Sequence, residues 1–96
     1  AQFLKIDTQG YELEVMKGAS STLKNVDFAL VEMSLIPVNT GAPLIHDIMT
    51  YLDAHEFVLY DIAEFHRRPL DQALWQIDGL FAKKNSRWRA NTHLGL

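Results

Sequence analysis

The sequence predicts an α/β fold with three parallel strands, one antiparallel strand and two main helices. Three features lead there. Apolar runs of strand length alternate with helical stretches up to about residue 62, the order that builds a parallel sheet. The run at 27–38, DFALVEMSLIPV, is apolar almost throughout, as a strand buried on both faces should be. The last two apolar runs, FVLYDI and ALWQIDGLFAK, have no helical stretch between them, so their strands should be antiparallel neighbours. The earlier two connections should be right-handed crossovers.

The elements follow in order. Phe3, Leu4 and Ile6 make a short apolar run ending at Asp7, too short for a helix and right for a buried strand. Thr8, Gln9 and Gly10 form a turn. Residues 11–17, YELEVMK, carry acids in the first turn and a lysine in the last, which suits the helix dipole, and Gly18 is a C-terminal cap signal. Ser20 or Ser21 can cap a further short turn, so a break near Gly18 is expected. The 27–38 strand should lose regular pairing at Pro37. Pro43 suits the first turn of a second helix, with the stripe Leu44, Ile45, Ile48, Met49 and Leu52 running to about His55. Residues 57–62 form the third strand. Residues 64–72, including HRRP, are polar and are expected as an exposed loop. Residues 73–83 form the fourth strand, with Gly79 as a bulge candidate. Residues 85–96 are expected as a frayed tail of a single partial domain, 1–96.

Composition narrows the function. At 96 residues and 48% hydrophobic, the chain has the makings of one packed core. A net charge of −3 offers no electrostatic case for nucleic acid or an anionic membrane surface, so neither is expected as a partner. The absence of cysteine removes disulfides, zinc thiolates and a cysteine nucleophile. No apolar run reaches the roughly 20 residues of a membrane span, and a cytoplasmic setting is expected. The four histidines share no metal-ligand spacing, and no metal is predicted. His66, Arg67 and Arg68 either meet an anionic substrate or form a solvated loop. Lys83, Lys84, Arg87 and Arg89 around Trp88 are expected as a solvated basic tail.

The candidate site residues are few. Asp7, at the carboxyl end of a strand and beside a glycine turn, either faces the crevice where open α/β sheets bind ligands or caps the next helix. Gly10 serves the turn, since glycine tolerates positive φ. Glu12 stands in the first helical turn, where a dipole role competes with a site role. Glu32 is a charge in an apolar strand and needs a partner; it faces the same crevice as Asp7 or marks a strand end wetted by solvent.

The segment D-x-x-G-x-E, here Asp7, Gly10 and Glu12, followed by MKGA, then FALVEMSL, HEFVLYDI and QIDGLFAKK in that order, resembles the FkbM-type methyltransferases over about residues 3–84. The resemblance implies a class I, S-adenosylmethionine-dependent enzyme that mostly methylates oxygen. It implies cofactor binding through Asp7, Gly10 and Glu12, catalytic roles for Asp7 and Glu32, and a small hydroxyl-bearing substrate. By the same analogy the strands are the fourth to seventh of a seven-stranded sheet, the last antiparallel and inserted between its two predecessors. A glycine-rich turn and a ribose-binding acid belong to the first strands of such a domain. Neither is found in these 96 residues, so about half a methyltransferase is expected to precede Asp7, and the chain alone is expected to be inactive. The alternative is a non-catalytic module derived from a methyltransferase. Under that alternative the first strand, central in a full domain, would be an open edge, and a homodimer or higher oligomer is expected.

Overall fold

The apolar runs become four strands, β1 (Phe3–Ile6), β2 (Phe28–Ser34), β3 (Phe57–Arg67) and β4 (Leu74–Lys83). Helix α1 (Ile45–Ala54) connects β2 to β3, and a single helical turn, α2 (Arg87–Ala90), follows β4. In this computed structural model the described residues are 3–6, 18, 23–38 and 43–96. The helix expected over 11–17 lies outside them.

The strands form one mixed sheet in the order β1-β2-β4-β3. β1 runs parallel to β2, from Phe3↔Phe28 to Ile6↔Val31. β4 is antiparallel to β2 on one side and to β3 on the other. Parallel pairing is therefore present between β1 and β2, whereas β3 has β4 as its neighbour and no parallel partner among the described residues. Of the expected α/β sheet with three parallel strands, the structure shows a four-stranded mixed sheet in which β1 and β2 are parallel neighbours. The inserted antiparallel strand is where the resemblance implies it. A hairpin connection, 68–73, is enough to bring β4 back beside β3, because antiparallel strands need no crossover.

Burial explains the strand assignments. Along β2 the side chains of Ala29, Val31 and Met33 are fully buried, while Phe28, Leu30, Glu32 and Ser34 are half-buried. The two faces of β2 are therefore unequal, and burial alternates where the sequence suggested continuous burial. The inner face packs against Ile48 and Leu52 of α1, Phe57 of β3, and Ile77 and Phe81 of β4, with Leu23 and Val26 completing the cluster. α1 begins where Asp47 Oδ2 accepts the backbone N–H of Leu44 at 3.0 Å, which satisfies one open donor of the first turn.

The third strand runs further than its sequence suggested. Glu64, Phe65, His66 and Arg67 continue β3 and pair with Asp78, Ile77, Gln76 and Leu74. The expected loop at 64–72 is thus corrected to strand through Arg67 and a tight turn after it. Hydrophobic pattern cannot signal these positions, because the far half of β3 is an exposed edge and its pairing comes from β4. Register shifts at Leu59/Asp61 and Ile62/Glu64 put two irregularities on β3, and a third, at His66/Arg67, leaves Trp75 of β4 as the extra residue. Such kinks, together with the charges of Asp61, Glu64 and Arg67, discourage further strand addition at this edge.

Gly79 is consequently not the bulge. It lies in register with Val31 on one side and Ile62 on the other. A Cβ at Gly79 would stand 2.6 Å from Met33 Cε, 3.0 Å from Leu59 Cδ1 and 3.2 Å from Phe81 Cε1. Met33 is fully buried, so its terminal methyl has to move within a packed core. Gly79→Ala is therefore expected to destabilise the fold by about 1 kcal/mol, a fall of about 5 °C in melting temperature. A melting temperature equal to or above that of the parent chain would show that the core yields freely at this point.

After β4, Ser86 Oγ accepts from Trp88 N at 3.2 Å and starts α2. The Trp88 ring then packs 5.0 Å from Phe28, and Arg87 lies 4.3 Å over the Trp88 ring. Part of the stretch expected to fray thus folds back on β2, while residues 91–96 are exposed and without regular structure. The basic residues there have internal partners: Lys84 bridges to Asp53 at 3.0 Å, Lys83 donates to Lys24 O at 3.1 Å, and Arg89 donates to Lys84 O.

Candidate functional site

β1, as described, ends level with Val31, one residue short of Glu32 on β2. Asp7, Gly10 and Glu12 follow β1 in sequence and lie outside the described residues. Of the candidate site residues, the structure places Glu32. It stands two residues before the end of β2, half-buried, with Oε1 accepting a hydrogen bond of 3.0 Å from Gln76 Nε2. Gln76 is 6% exposed, so this donor is a fixed feature of the sheet interior. A buried amide with a charged partner meets the requirement that polar groups leaving water keep their hydrogen bonds.

Glu32 belongs to a larger arrangement. Directly opposed residues in an antiparallel ladder share a face. The ladders oppose Glu32 to Asp78 and Ser34 to Gln76 on the β2–β4 side, and Glu64 to Asp78 and His66 to Gln76 on the β3–β4 side. Three polar pairs at i, i+2 therefore line up across three strands, on the face away from α1. They occupy the carboxyl end of β2, where open α/β sheets hold their ligands. His66 Nε2 lies 3.5 Å from both Glu64 Oε2 and Asp78 Oδ2. Asp78 Oδ1 is shielded from solvent and has no hydrogen-bond partner among the described residues.

An apolar cleft of about 300 Å³ adjoins this polar set, lined by Ile36, Val38, Arg68, Pro69 and Trp75. Trp75 joins the two, its ring centroid 6.5 Å from that of His66. The cleft's volume is at the lower end for small-molecule pockets. Its rim is fixed by the β3–β4 turn, where Arg68 Nε and Nη2 donate to both oxygens of Asp71 at 2.8 Å and Asp71 Oδ1 accepts from Ala73 N at 3.0 Å. The hydrogen bond from Arg68 foremost, and that from Ala73 next, hold the Asp71 carboxyl at about 2, below its ordinary 3.8. A depressed carboxyl pKa means that the contribution of this clamp is complete above about pH 4 and is lost as pH falls through about 2. A carboxyl-carbon NMR titration should therefore give an Asp71 midpoint near 2; a midpoint near 3.8 would mean that the clamp is not formed in solution.

Sequence reasoning missed Gln76, Asp78, Glu64 and Trp75. A signal was present: Glu32/Ser34, Glu64/His66 and Gln76/Asp78 each interrupt a strand with polar residues two apart, so each pair shares one face. What the sequence does not state is the register that puts the three pairs side by side. His66, expected in a loop, is instead on β3 and faces Asp78.

Among the described residues, no helix is long and apolar enough to cross a membrane. The chain matches the methyltransferase FkbM domain over residues 1–59, from before β1 to the opening of β3. No curated protein and no solved structure matches it. The family match takes in the D-x-x-G-x-E segment, Glu32 and α1, and covers more than half of the 96 residues. On a match of that extent, the chain belongs to the FkbM methyltransferase domain family.

Proposed function

We propose that the chain supplies the acceptor side of an S-adenosylmethionine-dependent O-methyltransferase crevice. The observation that carries this reading is the family match over 1–59, which includes Asp7, Gly10, Glu12 and Glu32. The strand order β1-β2-β4-β3 supports it, since the resemblance implies that order for the fourth to seventh strands of a class I sheet. The described residues fit the acceptor half: a carboxylate oriented by Gln76, beside a cleft walled by Trp75. S-adenosylmethionine supplies an electrophilic methyl group when bound. Asp7, Gly10 and Glu12 take the part of the site nearest the donor's amino acid moiety. Glu32 is the group that orients a small hydroxyl-bearing acceptor and takes its proton, for which it needs hydrogen-bond reach to that hydroxyl. Most of the rate advantage in such a site comes from holding the two reactants in line. The 96 residues contain no glycine-rich turn and no ribose-binding acid of the expected kind, so turnover requires these from elsewhere. A cytoplasmic setting is part of this reading.

A second reading is favoured by the position of β1. It is four residues long, at the edge of the described sheet, and Phe3 on it is 55% exposed. Such an edge pairs readily with another strand. Under this reading the chain self-associates through β1 and is not catalytic. Titration of S-adenosylhomocysteine into the purified chain by calorimetry, with the mass in solution recorded in the same buffer, separates the two. Saturable binding near one per chain supports the methyltransferase crevice, completed across an oligomer. A folded oligomer that binds nothing rules the catalytic reading out for this chain, and a clean monomer at high micromolar concentration rules out self-association.

A further inference from the structure

Glu64, His66 and Asp78 form a cluster that the methyl-transfer reading does not use. Their ligand atoms, one from each residue, lie within 4.8 Å of one another, and no other group of three or more such residues does so among the described residues. His66 Nε2 is 3.5 Å from one oxygen of each acid. That separation is at the outer limit for a hydrogen bond. It is close to the spacing of two ligands on one tetrahedral ion, which is about 3.3 Å when each ligand stands about 2.0–2.1 Å from the metal.

The charge arrangement calls for a cation as well. Asp78 and Glu64 are directly opposed across β4 and β3, and like charges directly opposed destabilise a sheet. The adjacent arginines are directed elsewhere, Arg68 to Asp71 and Arg67 to the carbonyl oxygen of Gln72. Asp78 Oδ1 meanwhile is shielded from solvent and has no hydrogen-bond partner among the described residues. Asp78 thus has an unsatisfied oxygen on the strand beside a histidine, as a metal ligand would.

We propose that Glu64, His66 and Asp78 bind one zinc ion, through one imidazole nitrogen and two carboxylate oxygens, with a fourth position open to water. Imidazole selects zinc over magnesium, which prefers six oxygens and keeps much of its water. The side chains of Glu64 and His66 are 65% and 34% exposed, so the ion has an entry path, and Asp78 at 22% forms the floor. The ion neutralises the opposed acids and pins β3 to β4 beside Trp75. No local spacing announces the site, because two ligands come from β3 and the third from β4.

The test uses the full chain after treatment with a chelator. Calorimetric titration with Zn²⁺ is expected to show one equivalent bound with Kd below about 10 μM. Co²⁺ in its place should give the visible absorption of a four-coordinate ion. Asp78→Asn and His66→Gln should each weaken binding at least tenfold, while His46→Gln leaves it unchanged. Circular dichroism confirms that each variant is folded; the exposure of His66 makes His66→Gln the safer of the two. Mg²⁺ at about 1 mM should not compete. Zinc bound equally well by the His66 and Asp78 variants would overturn the proposal. So would no binding below about 100 μM. These titrations contain no S-adenosylhomocysteine, so their failure leaves the methyltransferase reading untouched.

Discussion

Phe81→Ala is expected to lower the stability of the chain by about 3–5 kcal/mol, most of what a domain of this size has. Phe81 sits on β4, the strand held on both sides, opposite Ala29 of β2 and Leu59 of β3. It is 1% exposed and packs in the cluster with Met33, Ile48, Leu52 and Phe57. Deleting the ring removes the transfer term and leaves a cavity, and the sheet cannot collapse into it while both ladders hold β4 in register. A fall in melting temperature of more than about 12 °C should follow, with loss of cooperativity at the upper end of the range. Phe65→Ala is the matched comparison: same residue type, on the exposed end of β3, 58% exposed. It should change stability by less than about 0.5 kcal/mol. Similar falls for the two variants would mean that the core is not centred on β4.

The contrast between these phenylalanines also marks where sequence reading succeeds and where it stops. Phe81 lies in a run whose apolar residues recur with a strand period, and β4 was legible from that run to within one residue at its start. Ile48 and Leu52 were legible from their helical spacing, and α1 matches the expected stripe. Phe65 lies among Glu64, His66 and Arg67, and nothing in that local pattern distinguishes an edge strand from a loop. Only the partner strand decides it, and pairing is a long-range fact. The same holds for the candidate site. Glu32 is visible as a charge out of place, whereas Gln76 and Asp78, equally out of place in their own strand, gain meaning only from their partners across the sheet. Their meaning depends on the register that sets Glu32 against Asp78 and Ser34 against Gln76. A one-residue slip would turn both to the other face, so the buried hydrophobic face of β4 fixes the polar face as well.

That dependence makes Gln76→Leu the second substitution with a large expected effect. The variant keeps size and burial but removes the donor that Glu32 Oε1 accepts from at 3.0 Å. A hydrogen bond to a charged group contributes about 1.5–3 kcal/mol net, and the half-buried carboxylate of Glu32 is left facing Asp78 without that donor. A loss of about 2 kcal/mol is expected, a fall of about 8–16 °C in melting temperature. Glu32→Gln should behave differently. Its amide oxygen still accepts from Gln76, and one of the opposed charges is gone, so stability should stay within about 0.5 kcal/mol of the parent chain. The pair Glu32→Leu with Gln76→Leu removes both polar groups and should cost less than Gln76→Leu alone, because no acceptor loses its donor. Equal losses for the single and the double variant would show that the bond contributes nothing to the sheet. The chemical role separates cleanly from the structural one in Glu32→Gln. If Glu32 takes the acceptor's proton, this variant should lower the rate of methyl transfer by about 100-fold or more in the assembled enzyme, with its melting temperature unmoved. A variant that melts normally and transfers methyl at the parent rate would confine Glu32 to the sheet and leave Asp7 as the candidate base.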